Sequence, residues 1–466
     1  MSVWLEFPSQ NRFAMSQRPS LALVLAAGQG TRMKSTRPKV LHEIAGQPML
    51  THVMATAQQS GLTEMAVVVA PDMENVSDVA RAAHQGAGVF IQEQQFGTAH
   101  AVLAAREALE DFSGDVVILY GDTPLIRSQT IASILATLKE GADLAVLGFE
   151  AEDPTGYGRL IIDGDGALVA VREEREASEE ERKIRLCNSG VFAFRGENLM
   201  RLLDKIGNDN AKGEYYLTDA VELARDEGLQ ASVVVCPEEE VMGVNSKVQL
   251  AEAEAELQAR LRSEAMENGV TLLAPDTVFL CPDTKLGSDV VVEQNVVFGP
   301  GVTVEDGARV RAFSHLEEAH VGKGAVVGPF TRLRPGTQLG TNVRVGNFVE
   351  VKNATMEAGS KANHLAYVGD AHVGSDANIG AGTITCNYDG FSKHRTEIGA
   401  GAFIGSNTAL VAPIKIGSGV YVGSGSVLSK DVPVDALVVT RGPLVQRDGW
   451  AAKVRARRQR AKGNKT

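Results

Sequence analysis

Two hydrophobic periods divide the chain. Between residues 19 and 247, "LALVLAAG", "EMAVVVAP", "GDVVILYGD" and "ADLAVLGFE" are short aliphatic runs, each flanked by a helical stretch. "MLTHVMATAQQSG" carries its apolar residues at helical spacing and ends on a glycine stop. The alternation predicts a mostly parallel sheet with helices on both faces. Ligands are then expected at the carboxyl ends of the strands. Residues 246–268, "SKVQLAEAEAELQARLRSEAMEN", read as a linking helix. Leu250, Leu257 and Leu261 share a face, Glu256 and Arg260 form an i,i+4 pair, and Gly269 is a natural stop.

After Gly269 the period becomes six. Leu286, Val292, Phe298, Val304 and Val310 form one run. Val321, Val327, Leu333, Leu339, Val345 and Val351 form a second, and Ile398, Ile404, Leu410, Ile416, Val422 and Leu428 a third. Six fits neither a helix at 3.6 nor a hairpin sheet at 2. It fits a parallel β-helix with three short faces per coil, one aliphatic pointing inward from each. A coil is then about 18 residues and rises about 4.8 Å, one strand spacing. Breaks at "HLEEAHV" and "CNYDGFSKHRT" are expected to be loops that leave the prism.

The boundaries that follow are a disordered extension at 1–18, an α/β domain at 19–245, the linking helix at 246–268, a β-helix at 269–440 and a tail at 441–466. Met15 is a second candidate start, and "MSVWLEFPSQNRFAMSQR" lacks the apolar core of a signal peptide.

Composition narrows the partners. The 466 residues carry a formal net charge of −12, which argues against nucleic acid or an anionic membrane as the main partner, and no stable membrane insertion is expected. No run of about 18 apolar residues occurs. The tail reverses the charge, with nine Lys or Arg against one acid: either a solvated tail or an aid to binding an anion. Cys187, Cys236, Cys281 and Cys386 show neither metal spacing nor a disulfide framework, as expected of a reducing cytoplasm.

One loop carries chemistry on its face. "LVLAAGQGTRM" runs from a strand into Gly28 and Gly30, whose missing side chains let backbone N–H groups approach an anion. It is neither a Walker loop nor a full G-x-G-x-x-G, because Met33 stands at the last position. Arg32 and Lys39 place two cations beyond the glycines, as a triphosphate requires. The alternative is a packing turn followed by two solvated cations.

"LAAGQGTRMKSTRPKVL" resembles the nucleotidyltransferase loop of sugar-nucleotide pyrophosphorylases. The likeness continues through "QEQQFGTAHA", "YGDTPLI", "DPTGYGR", "CNSGVF" and "GEYYLTD". The second half, with "RLRPG", "GNFVEVKNA", "GSKANHLAYVGDA" and "NIGAGTITCNYDG", resembles hexapeptide-repeat acyltransferases. From about residue 20 to 450 the chain resembles the bifunctional family that joins N-acetylglucosamine-1-phosphate uridyltransferase to glucosamine-1-phosphate acetyltransferase. The resemblance implies a Rossmann-like α/β nucleotidyltransferase domain, a linker helix and a left-handed parallel β-helix. It also implies UTP, acetyl-CoA, glucosamine 1-phosphate and N-acetylglucosamine 1-phosphate as substrates, Mg²⁺ for uridylyl transfer, and a cytoplasmic homotrimer.

Residue by residue, the resemblance puts Leu25, Ala26, Ala27, Gly28, Lys39, Gln92, Gly97, Thr98, Tyr120 and Gly121 on the nucleotide. Asp122 and Asn245 become metal ligands; Gly158, Glu173 and Asn188 bind the sugar; Arg32 and Lys39 assist catalysis. The nucleophile, a phosphate oxygen, is already anionic, so no general base is required. In the acetyl site, the substrate amine must lose a proton, and the resemblance makes His364 the base, with Glu350 orienting it. Arg334 and Lys352 would hold the sugar phosphate, Tyr367 and Asn378 the sugar. Ala381, Asn387, Tyr388, Ser406, Ser424 and Arg441 would contact acetyl-CoA, with Ser424 standing where the family carries alanine. Cys386 reads as a bystander thiol. Two other readings remain open at this point: a single-activity pyrophosphorylase whose β-helix only assembles trimers, and a non-enzymatic scaffold.

Overall fold

A computed structural model of the chain describes residues 18–440 and 442–463. Arg441 and residues 1–17 of the extension lie outside the described residues. The chain divides into two compact units, Met1–Arg260 and Leu261–Thr466.

The first unit is built on a mixed sheet. Its strands are β1 (Ser20–Leu25), β2 (Glu64–Val69), β3 (Gly88–Ile91), β4 (Asp115–Tyr120), β5 (Leu144–Glu150), β6 (Arg159–Ile162), β7 (Leu168–Arg172), β8 (Leu186–Arg195) and β9 (Ala231–Cys236). The order is β9-β5-β8-β4-β1-β2-β3, with β6 and β7 as a hairpin on β8. β1 pairs in parallel with both β2 and β4, and all six of its residues are buried. Alternate residues feed opposite cores. Ala22 and Val24 join one cluster with Val53 and Met54; Leu21 and Leu23 join another with Leu199 and Val221. The expected parallel strands with helices on both faces are present. The antiparallel β8 and the β6–β7 hairpin are additional.

Helix Lys247–Glu267 follows. Leu250 and Leu257 pack on a small cluster around Met49 and Leu125 in the first unit. Arg260 donates to Glu256 at 2.8 Å, the expected i,i+4 pair, and Leu261 packs on the core of the second unit.

The second unit is a parallel β-helix. One ladder of ten short parallel strands runs from Thr271–Leu272 to Leu437–Val438. The other two faces merge into a 14-stranded sheet, because Glu350–Met356 pairs with both Arg332–Leu333 and Thr337–Leu339. The inward aliphatics of the second and third runs are buried, and Val327, Leu333, Val351 and Ile404 have no exposed surface. Leu286, at the start of the first run, is half-buried.

Coil length is not constant. Lys285 pairs with Thr303, eighteen residues on, but Thr303 pairs with His320, seventeen on. "HLEEAHV" is therefore not a loop leaving the prism, as its break in period suggested. It is a face one residue short, closed by Glu318 in the left-handed region (φ 41°). Asn353 (φ 43°) and Asp370 (φ 47°) close later short faces in the same way. "CNYDGFSKHRT" is a true excursion: Ala371 pairs with Thr396, twenty-five residues on, and register resumes.

The inward column dominates this unit's stability. Leu333→Ala should destabilise it by about 2–5 kcal/mol, since a rigid stack cannot collapse onto the vacated volume. Chemical denaturation followed by circular dichroism measures this, and a loss below about 1 kcal/mol would show that the column is not close-packed.

Candidate active sites

In the first unit, adjacent parallel strands deliver their loops to one point. β1 ends at Leu25 and β4 at Tyr120, a register pair. Beyond them, Gly121 N–H donates to the Leu25 carbonyl at 3.0 Å, and Ala26 N–H to that of Val68 at 2.7 Å. Gly30 turns the loop back with φ 61°. A Cβ there would lie 2.6 Å from Lys39 Cβ, so only glycine lets Lys39 pass beneath.

Lys39 Nζ donates to Asp122 Oδ2 and, at 3.1 Å, to Asn245 Oδ1. Asn245 arrives because Val244 N–H donates to the Asp122 carbonyl at 2.9 Å. The Lys39 and Asp122 side chains are 12% and 15% exposed, dry enough for their charges to act strongly on an incoming phosphate. Beside them opens a cavity of about 360 Å³, lined by Leu25 to Gly28, Lys39, Gln92, Gly97, Thr98, Tyr120 and Asp122.

Gln95 and Glu214 also line this cavity and were not anticipated. Gln95 Nε2 donates to the Ala27 carbonyl at 2.5 Å, tying the loop after β3 to the glycine loop after β1. The "GEYYLTD" segment clasps the same loop. Tyr215 N–H donates to Phe96 O at 2.7 Å and Ala99 N–H to Tyr215 O at 3.0 Å. A Cβ on Gly97 (φ 109°) would come within 2.5 Å of that Tyr215 oxygen. Arg32 sits exposed on the turn Thr31–Met33 and is not among the residues lining the cavity.

The three sugar candidates lie around the base of the hairpin, Gly158 just before β6 and Asn188 on the neighbouring β8. Asn188 N–H donates to the Gly158 carbonyl at 2.8 Å, and Glu173 directly follows β7. Burial raises the Glu173 carboxyl, and Thr218 Oγ1 donates to it at 3.3 Å. Arg159, 1% exposed, donates to the partly exposed Glu174 at 2.7 Å, so one ion pair ties the residues next to Gly158 and Glu173.

In the second unit, coil stacking does the positioning. Asn347 pairs with His364, and His364 Nδ1 lies 2.7 Å from Asn347 Oδ1. Glu350 does not orient the imidazole, contrary to expectation. Its own register partners are Arg332 and Tyr367, and its Oε1 accepts from Arg334 Nη1 at 2.8 Å. Lys352 meets Lys393 from the excursion, and this like-charged neighbour is the main cause lowering its pKa, with Arg334 adding. Lys393 was not anticipated; no local pattern sets it apart from an ordinary surface lysine.

Tyr367 folds back over Gly369, where a Cβ would lie 2.3 Å from the phenol oxygen. Asn387 Nδ2 donates to buried Asp370, which also accepts from Asn353 at 2.6 Å. Asn378 lies on another face, in the ladder Lys361–Asn378–Phe403. Ala381 and Ser406 occupy equivalent corners: Asn407 N–H donates to Ala381 O at 2.7 Å, and Gly425 N–H to Ser406 O at 2.8 Å, which puts Ser424 in the next layer. Tyr388 is exposed at the start of the excursion. That loop is organised by Asp389, whose carboxylate accepts from Ser392 and Phe391 N–H groups and from His394, and is held strongly acidic by them. Burial raises the Cys386 thiol, which suits a bystander and not a nucleophile.

Residues 22–184 match the family model of the MobA-like NTP transferase domain, and residues 318–353 and 395–430 that of the bacterial transferase hexapeptide. Similar proteins span both. The chain is 61% identical to the bifunctional protein GlmU of Azorhizobium caulinodans over 96% of its own length and all of the relative's. It is 58% identical to that of Xanthobacter autotrophicus over the same shares, and 53% identical to that of Agrobacterium fabrum over 96% and 98%. The chain belongs to the GlmU family.

It is accordingly a bifunctional transferase. The β-helix, left-handed as in hexapeptide acyltransferases, transfers acetyl from acetyl-CoA to glucosamine 1-phosphate. The α/β unit transfers uridylyl from UTP to N-acetylglucosamine 1-phosphate. The scaffold and single-activity readings fall away. Among the described residues no helix is long and apolar enough to cross a membrane.

The carboxylates around the sugar candidates leave a titration signature. Burial, with Glu176, Glu222 and Glu173 adding, pushes Asp219 up to about 6 from its ordinary 3.8. A raised carboxyl binds its proton more tightly folded than unfolded, so stability falls as pH rises from 3.8 to about 6. Asp219→Asn removes that penalty. It should stabilise the first unit by about 1–3 kcal/mol at pH 7–8, shrinking towards zero near pH 4. Denaturation midpoints across that range test this; a gain independent of pH would contradict it.

Proposed function

We propose that the cavity at the ends of β1 and β4 is the uridylyl-transfer site and that the coils around His364 form the acetyl-transfer site. The first assignment is carried by one observation: Asp122 and Asn245 converge on Lys39 Nζ at the cavity wall. Two hard oxygens beside an opening sized for phosphates fit Mg²⁺, which completes its shell from substrate. Asp122 and Asn245 would hold the ion; when bound it neutralises triphosphate charge and polarises the α-phosphorus.

The remaining work falls to the chain. Backbone N–H groups of Ala27 and Gly28 and the Lys39 ammonium face the phosphates and screen the approach of a second anion. Gly158, Glu173 and Asn188 hold the sugar so that its phosphate oxygen lies in line. The oxygen–phosphorus bond forms as the bond to pyrophosphate breaks, and no proton need move.

In the acetyl site, Asn347 Oδ1 can only accept, so His364 carries its proton on Nδ1 and presents a bare Nε2. Nε2 takes the proton as the amine of glucosamine 1-phosphate attacks the thioester carbonyl, and coenzyme A leaves. Arg334, Lys352 and Lys393 form a cationic cradle whose mutual repulsion an incoming phosphate relieves. Tyr367 and Asn378 hold the sugar, and the corner column Ala381, Ser406 and Ser424, with Asn387 and Tyr388, receives acetyl-CoA.

We place the enzyme in the cytoplasm, as a homotrimer. Support for assembly comes from an exposed aromatic column on the β-helix. Phe313, Phe330 and Phe348 are about half exposed and stack at 4.9 and 5.2 Å, with exposed Leu365 beyond.

The two activities should separate. Asp122→Ala should cut uridylyl transfer by about 10²-fold or more and spare acetyl transfer. His364→Ala should cut acetyl transfer by about 10²–10⁴-fold and spare uridylyl transfer. EDTA should stop pyrophosphate release and leave coenzyme A release nearly intact. Loss of both activities in either folded variant, or a metal requirement for thiol release, would overturn the assignment. Sedimentation should show a trimer that Phe330→Asp weakens; an active monomeric wild type would refute the assembly.

A further inference from the structure

We infer that His100 sets the choice of nucleotide base by fixing which way the Gln92 amide faces. This rests on the proposed uridylyl-transfer site, with Gln92, which the resemblance puts on the nucleotide and which lines the cavity, facing the base.

Gln92 is 4% exposed and lines the cavity. Its Nε2 lies 3.3 Å from the Gly97 carbonyl oxygen and 3.2 Å from His100 Nδ1. A carbonyl oxygen only accepts, so the amide nitrogen, and not the amide oxygen, faces Gly97. With one amide hydrogen on Gly97, the other goes to His100. His100 Nδ1 is then an acceptor and its proton sits on Nε2. Both hydrogens of the amide are consumed. Its Oε1 takes no hydrogen bond among the described residues and is left as an acceptor for a ligand.

That polarity discriminates between pyrimidines. Uracil presents an N3–H donor on its pairing edge; cytosine presents a bare N3 acceptor at the same position. An amide locked with Oε1 outward accepts from uracil and opposes cytosine, and a site built around one hydrogen-bond sense rejects the wrong partner strongly. His100 is itself held in place. Its ring packs edge-on against Phe96 at 5.4 Å and lies 6.4 Å from Tyr215. His100 is thus a positioning residue: it touches neither phosphate nor metal candidates, and acts through Gln92.

The test compares kcat/KM for UTP and CTP in the full chain, with N-acetylglucosamine 1-phosphate and Mg²⁺, by pyrophosphate release. His100→Phe keeps the ring packing and removes the acceptor; His100→Asn offers Oδ1 where Nδ1 stood. The UTP-to-CTP ratio should fall about tenfold in His100→Phe, mainly through KM, and stay near wild type in His100→Asn. An unchanged ratio in His100→Phe would overturn the inference. So would an equal fall in both variants, which would mean packing and not acceptor chemistry. Far-UV circular dichroism and the thermal midpoint of the first unit, compared with wild type, confirm that the variants are folded. Gln92→Ala separates the two levels: if it leaves the KM for UTP unchanged, the base is not at Gln92 and the placement itself fails. If that KM rises while His100→Phe keeps its ratio, only the lock fails.

Discussion

Parallel strand pairing is the constraint on which both sites depend. Side chains at one register position on successive parallel strands stand about 4.8 Å apart, near enough to share a ligand. In the first unit this sets Leu25 beside Tyr120, and the loops that follow are stitched by Gly121 and Ala26. In the second it stacks Arg332, Glu350 and Tyr367 on one ladder and Asn347 under His364 on another. A register error of one residue would turn these groups to the opposite face. The buried aliphatic columns that fix register are therefore what aims the chemistry.

The two units meet opposite electrostatic problems with this one device. The proposed uridylyl cavity must bring two anions together, and it offers a lysine already pinned by a carboxylate and an amide. The proposed acetyl site must strip a proton from an amine, and it offers a histidine whose tautomer is set by a neutral amide. Neutrality matters there. A carboxylate under His364 would stabilise the imidazolium and oppose return of the proton to solvent, whereas Asn347 orients without adding charge. Glu350 is instead committed to Arg334, which keeps that guanidinium in place at the proposed phosphate cradle.

Much of this was legible in the sequence. The six-residue period pointed to the β-helix because neither a helix nor a hairpin sheet repeats at six, and the strand–glycine–cation sequence around Gly28 marked a loop that lines the cavity. What could not be read depends on register over long separations. Asn347 is one polar residue in "VGNFVE", and it meets His364 only because that coil has seventeen residues instead of eighteen. The short faces closed by Glu318, Asn353 and Asp370 shift the phase without leaving the prism, so a fixed period mistook the first for a loop. The Tyr215 clasp, the Arg159–Glu174 pair and Lys393 are tertiary meetings with no local signature.

The most direct test of the account is a crystal structure of the full chain grown with UDP-N-acetylglucosamine, Mg²⁺ and acetyl-CoA. The account predicts the diphosphate against Ala26 to Gly28 and Lys39, and metal density beside Asp122 and Asn245. It predicts coenzyme A along the corners at Ala381, Ser406 and Ser424, with the thioester turned to His364 Nε2. Nucleotide bound away from Lys39, or a thioester out of reach of His364, would contradict it.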